Sequence, residues 1–186
     1  MYKYLSIILL LLVCNACKVK KSLTADEEQV NYNFPLDWIG HYEGQLEIFN
    51  QKNDTVLVDM ALDIGHADNT GFFPWTISYN KEDVRPYGLE IINPDTGHCR
   101  IDEFNSIKLD AYYKAGHFTS RFDVMGSDLL IDYHRVKGGI EVLLFISQSK
   151  PVSITGNQVL GQDTIPEVKS FNMLAFQKAF LKKTEQ

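Results

Sequence analysis

Apolar and polar residues alternate along most of this chain, most regularly between Trp38 and Phe49. One side of that extended stretch holds Trp38, Gly40, Tyr42, Gly44, Leu46 and Ile48, and the other holds His41, Glu43, Gln45 and Glu47. A period of two is typical of a strand with one buried and one solvated face. The stretch therefore predicts a first β-strand, in which Gly40 and Gly44 let the sheet bend or another backbone come close.

The same period returns in later segments that are separated by short polar turns. The further predicted strands are Thr55–Ile64, Phe72–Tyr79, Val84–Ile92, His98–Glu103, Ile107–Tyr113, His117–Met125, Leu129–Val136 and Ile140–Ser147. We expect residues 149–166 to form a loop with a small hairpin around Gly156 and Gly161. Val168–Lys182 fits a helical period and a strand period, and we favour a long final strand because a β-rich domain needs a partner for its open edge.

The predicted strands indicate an all-β fold. Short turns join neighbouring strands in antiparallel order, because a parallel crossover needs a much longer connection. A long open sheet would expose two edges, and closure removes both of them. We therefore predict an antiparallel up-and-down β-barrel of about 8–10 strands, with a two-sheet β-sandwich as the alternative.

The composition and the net charge limit the class of protein and the kinds of partner that it can bind. The chain has 186 residues, 45% of them hydrophobic and 23% charged, which suits one globular domain with a real core. Its formal net charge of −6 argues against a nucleic-acid partner, since such partners require a concentrated basic surface.

The first residues have the pattern of an export signal. Lys3 precedes the apolar run Leu5–Val13, which is too short to span a bilayer and has the length of a signal-peptide core. The ending, Ala16-Cys17, resembles the lipobox of bacterial lipoproteins, in which a small residue precedes a cysteine that becomes acylated. The resemblance implies lipid attachment at Cys17, with Cys14 as the alternative site, while ordinary secretion with cleavage near Ala16 stays open.

This resemblance defines the expected domain organisation. Residues 1–16 would be a lipoprotein signal peptide, residues 17–34 a flexible tether, and residues 35–186 a single β-barrel domain. The mature protein would be lipid-anchored in the bacterial cell envelope, with the membrane as its partner through N-terminal acyl chains.

The first strand carries a second resemblance. Gly40-x-Tyr42-x-Gly44, preceded by Trp38, is similar to the G-x-W strand that opens lipocalins and related calycin barrels, including small lipid-anchored lipocalin-like proteins of bacteria. Tyr42 stands where the family has its tryptophan, and Arg135 and Arg85 are the candidates for the arginine that closes over it. The resemblance implies a barrel that binds a small, largely apolar molecule in its mouth.

Six residues on predicted inward faces form the candidate binding site. They are Trp75, Arg85, Tyr87, Phe122, Tyr133 and Arg135. Aromatic side chains beside inward arginines indicate a pocket for an amphipathic anion. The alternative is a barrel filled by its own side chains, with arginine extending at the rim.

The sequence holds no pattern typical of catalysis or metal binding. The five histidines form no metal-binding motif, and His98 and Cys99 should point to opposite faces of a strand. We therefore predict no catalytic residues, no metal and no cofactor, and a non-enzymatic ligand-binding protein. The alternative function is a structural or interaction lipoprotein with a filled barrel, which docks an envelope partner through its outer face or the 149–166 segment.

Overall fold

The computed structural model describes residues 32–52 and 54–184, which form one short 3-10 helix and twelve β-strands. The 3-10 helix is Leu36–Trp38, and the strands are β1 Gly40–Asn50, β2 Thr55–Ile64, β3 Phe73–Tyr79, β4 Asp83–Asn93, β5 His98–Asp102, β6 Lys108–Lys114, β7 His117–Val124, β8 Ser127–Val136, β9 Gly139–Thr155, β10 Gln158–Leu160, β11 Asp163–Ile165 and β12 Val168–Thr184. No helix in these two ranges has the length and apolar character needed to span a bilayer.

Ten of the strands form one closed antiparallel sheet. Their order is β1-β12-β9-β8-β7-β6-β5-β4-β3-β2. Strands that follow one another in the barrel are hydrogen-bonded to each other, and β1 also pairs with β12, which closes the sheet. β10 and β11 form a separate hairpin. The predicted all-β, up-and-down barrel is confirmed, and the sandwich alternative is wrong. Trp38 was predicted to begin the first strand, but it ends the 3-10 helix, and the strand begins at Gly40.

The sheet closes where β1 pairs with β2 on one edge and with β12 on the other. Leu46 lies opposite Ala179 across this seam. A Cβ atom at Gly44 would lie 2.3 Å from the Phe180 carbonyl oxygen, so the backbone of β12 occupies the space that a side chain would need. The predicted close approach at a glycine of the first strand is confirmed, and Val168–Lys182 is part of a strand as we favoured.

The turns alternate between the two ends of the barrel. We call closed end the one that carries the β2–β3, β4–β5, β6–β7 and β8–β9 turns, and open end the opposite one. The segment before β1 lies at the closed end, where Tyr32 and Phe34 pack against the buried core. Both residues were predicted to belong to the flexible tether. The predicted signal peptide and Cys17 lie outside the described residues.

A two-stranded arm extends from the open end. β9 pairs with β8 only as far as Gln148, and β12 pairs with β1 only from Ala175 onward. Beyond these points β9 and β12 pair with each other alone, with register shifts, and the β10–β11 hairpin forms the tip. We call residues 149–174 the arm. The predicted hairpin is confirmed, whereas the loop predicted before it is wrong because residues 149–155 continue β9.

Candidate functional site

The part of the barrel interior nearer the open end holds a cavity of about 300 Å³. Its wall is largely aromatic and aliphatic, with Trp75, Phe118 and Tyr133 buried at its inner part. Trp75 packs against the other two rings, at 5.2 Å from Phe118 and 5.3 Å from Tyr133 between ring centroids. These three rings fill the middle of the barrel, so the cavity lies between them and the open end.

Polar groups gather where the cavity meets the open end. Arg85 lies near the start of β4 and Glu103 directly follows β5, so the alternation of strand direction brings both to this end. Arg85 donates to Asp83 through Nη2 at 2.6 Å and through Nε at 3.1 Å. Its guanidinium carbon also lies 5.0 Å from the centroid of the Tyr79 ring. Arg85 is therefore held by a neighbour on its own strand.

The tyrosine hydroxyls of the cavity stay protonated at neutral pH. Burial raises the pKa of Tyr79, of Tyr87 and, most strongly, of the fully enclosed Tyr133. For Tyr87 the negative charge of Glu103 adds to the effect of burial on the pKa. A bound molecule would therefore meet neutral hydroxyl groups, which can donate or accept hydrogen bonds.

The closed end is filled by side chains. The Tyr42 hydroxyl donates to the Trp38 carbonyl oxygen at 2.7 Å, and both residues are fully buried. Phe34 stacks on Tyr113 at 4.6 Å and on Phe118 at 5.0 Å, and it meets Trp38 edge-on at 5.1 Å. This cluster seals the barrel beneath the cavity.

Arg135 belongs to the closed end and not to the cavity. It is buried, its guanidinium carbon lies 4.5 Å from the Tyr32 ring centroid and 5.5 Å from that of Tyr42, and it donates to the carbonyl oxygens of Val136 and Gly139. Arg85 and Arg135 were the two candidates for the arginine that lies over Tyr42, and Arg135 is the one in contact with that ring. Arg135 was predicted to line the ligand pocket, and the structure corrects this: it does not line the cavity, because an inward face says nothing about position along the barrel axis.

The structure brings the other five predicted site residues together. Trp75, Arg85, Tyr87, Phe122 and Tyr133 all line the cavity. The prediction missed Tyr79 and Glu103, which also line it. Both continue an inward alternation, Tyr79 after Trp75 and Ile77, and Glu103 after Cys99 and Ile101. The period-two pattern could have found them.

Several histidines lie on the outer surface of the barrel, where they contact carboxylates. His98 contacts Asp110 at 2.9 Å on the outside, whereas Cys99 is buried and its thiol pKa is raised to about 11 by that burial. His117 and His134 stack at 4.1 Å, and His117 contacts Asp132 at 2.8 Å. Across residues 32–52 and 54–184, no three His, Cys, Asp or Glu side chains converge in a way that could hold a metal ion.

The arm exposes apolar side chains. Val152 and Val159 are each about two-thirds exposed, and the others that are largely exposed are Ile154, Leu160, Val168, Phe171 and Met173. Such a concentration on a projecting ribbon is unusual for a solvated surface. The arm is therefore a second candidate site for contact with another molecule, besides the cavity.

Comparisons with known proteins find similarity of fold. No protein-family model matches the chain, and no curated protein matches it. A protein of unknown function from the DUF3598 family of Nostoc punctiforme superposes on this chain with a TM-score of 0.56 at 10% sequence identity. The superposition covers 78% of this chain and 47% of that protein, so this chain spans about half of its length. The S-type phycobiliprotein lyase CPES from Guillardia theta superposes with a TM-score of 0.50 at 8% identity, over 80% of this chain and 89% of its own.

These similarities and the strand order agree on the fold. The chain is a closed ten-strand antiparallel up-and-down β-barrel, and it resembles both of these proteins in fold. Identities this low carry the fold and nothing about the ligand or the reaction.

Replacing Arg135 should separate the closed end from the cavity. We expect Arg135→Ala to lower the free energy of unfolding by about 2–4 kcal/mol, because the buried Gly139 carbonyl and the partly buried Val136 carbonyl lose their donor and the packing over Tyr42 is lost. Urea unfolding of the purified protein measures this change. Arg121→Ala is the control, since Arg121 is exposed and paired with Asp128, and it should have little effect. Equal effects of the two substitutions would contradict the proposed role of Arg135.

Proposed function

We propose that this protein is a lipid-anchored protein of the bacterial cell envelope whose barrel binds a small hydrophobic or amphipathic ligand without catalysing a reaction. The observation that carries the proposal is the cavity of about 300 Å³ between the central aromatic rings and the open end. Ligand pockets measure about 300–1,000 Å³ and combine apolar walls with a few polar groups. The volume therefore suits a small molecule.

The chemistry of the cavity supports binding rather than catalysis. General acid–base catalysis works best with groups whose pKa lies near the working pH. The raised pKa values of Tyr79, Tyr87 and Tyr133 move these hydroxyls away from that range. Arg85, held by Asp83, stays charged. The phycobiliprotein lyase with a similar fold is compatible with an enzyme on this scaffold, but its 8% identity transfers no residue of a site.

The interaction-protein alternative has one observation in its favour and one against it. The exposed apolar side chains of the arm suit a docking surface. That alternative also requires a barrel filled by its own side chains, and the cavity beside Arg85 and Tyr87 does not fit this requirement. We therefore prefer the ligand-binding function.

Filling the cavity should abolish binding of a neutral apolar probe. N-phenyl-1-naphthylamine is expected to bind the purified protein saturably, as measured by its fluorescence. Ser120 lines the cavity, and we expect Ser120→Trp to weaken this binding at least about tenfold, since the indole takes the space of the probe. Arg121→Trp places the same side chain at the next residue, which is exposed and paired with Asp128, and should leave the affinity unchanged. Equal affinity in both variants would contradict a binding cavity.

Lipid attachment should depend on one cysteine. In a bacterial host grown with radioactive palmitate, we expect the full-length protein to be labelled and to sediment with membranes. Cys17→Ser should remove the label and release the protein, whereas Cys14→Ser should change neither. Loss of the label in Cys14→Ser alone would move the site to Cys14. Labelling that survives both substitutions together would contradict the anchor.

A further inference from the structure

The charges at the mouth of the cavity do not favour an anion. Arg85 and Glu103 are the two charged residues of its lining. The Arg85 charge is already paired with Asp83, whose carboxylate it contacts through both Nε and Nη2. The hydrogen bonds from Arg85 also lower the pKa of Asp83, so this carboxylate is ionised at neutral pH. The two acidic groups and one arginine leave one negative charge in excess.

Glu103 supplies that excess charge. Asn105 donates to its Oε2 atom at 3.1 Å. The nearby cations of the sheet are engaged elsewhere, because Lys108 lies 2.9 Å from Asp102 and Arg100 lies 3.4 Å from Asp110. In the described part of the chain, no ion pair to Glu103 accompanies these contacts. Its carboxylate therefore faces the cavity without a basic partner.

The wall next to Glu103 suits a positive charge. Aromatic rings attract cations through the negative electrostatic potential of their faces, most strongly Trp and Tyr. The guanidinium of Arg85 already lies over the Tyr79 ring, and the cavity gathers five further rings, Trp75, Tyr87, Phe118, Phe122 and Tyr133. Glu103 lies close enough to Tyr87 for its negative charge to raise the pKa of the Tyr87 hydroxyl, while Arg85 acts on the same pKa in the opposite direction. Apolar side chains such as Leu109 and Ile131 complete the wall and suit an alkyl chain.

We infer that the cavity binds a cationic amphiphile, an alkyl amine or quaternary ammonium compound whose head group lies between Glu103 and the aromatic rings. This inference rests on the proposed ligand-binding function. It replaces the amphipathic anion expected from the sequence, because Asp83 neutralises the arginine on which that expectation depended. Glu103 is then the residue that determines specificity.

Three probes with one chain length and different head groups test the inference. We would measure the affinities of octyltrimethylammonium, 1-octanol and octanoate for the full-length protein carrying Cys17→Ser, which removes the proposed acylation site, by calorimetry below the micellar range. The ammonium compound should bind about tenfold more tightly than the alcohol, and octanoate should bind more weakly than the alcohol. Raising the salt concentration should reduce these differences.

A conservative substitution assigns the preference to Glu103. Glu103→Gln should lower the affinity for the ammonium compound about tenfold and change that for 1-octanol less than about twofold, since it removes the charge and keeps the shape. Glu82→Gln is the matched control: Glu82 lies in the β3–β4 turn at the same end and does not line the cavity. It should leave all three affinities unchanged, which excludes a general effect of the protein's net charge.

The outcomes separate the two proposals. A cationic preference that Glu103→Gln removes supports the inference. Binding of 1-octanol without a cationic preference, or a preference that Glu103→Gln leaves unchanged, overturns the inference while the binding function stands. Failure of all three compounds to bind overturns both.

Discussion

The pairing of the first strand with the last is the interaction on which the rest of the structure depends. β12 fits against β1 because Gly44 has no side chain where the Phe180 carbonyl lies. Without this seam the ten strands would form an open meander with two exposed edges. With it they enclose an interior that side chains must fill or a ligand can occupy.

The segment before β1 decides which end of that interior is filled. Phe34 and Trp38 pack against each other at the closed end, and the Tyr42 hydroxyl donates a hydrogen bond to the Trp38 carbonyl oxygen. Arg135 lies over Tyr42 and bonds to backbone carbonyls, so a buried charge serves the closure of the barrel and not the ligand. Within residues 32–52 and 54–184, no such segment crosses the other end, where β9 and β12 instead continue into the arm. The cavity therefore lies above the central rings, with Arg85 and Glu103 at its mouth.

Much of the fold could be predicted from the sequence, because a half-buried strand alternates residue by residue. That pattern located the barrel strands and most of the inward residues that line the cavity. It failed for residues 149–155, since both faces of the arm are exposed and burial imposes no alternation there. It also could not predict that Arg135 lies at the closed end, because alternation shows which face of a strand a residue occupies but not its position along the barrel axis. The pairing of Arg85 with Asp83, two residues earlier on the same face, was accessible to the same reasoning, and it is one of the contacts from which we infer a cationic rather than an anionic ligand.

The most direct measurement of the central claim is methyl NMR of the full-length protein carrying Cys17→Ser during titration with a neutral octyl probe. Ile77, Ile101 and Ile131 line the cavity, whereas Ile64 and Ile140 are buried outside it. A small-molecule site at the open end predicts saturable shifts of the first group and little change in the second. Shifts confined to exposed residues of the arm such as Val159 and Ile154, or no saturable shift at all, would contradict it.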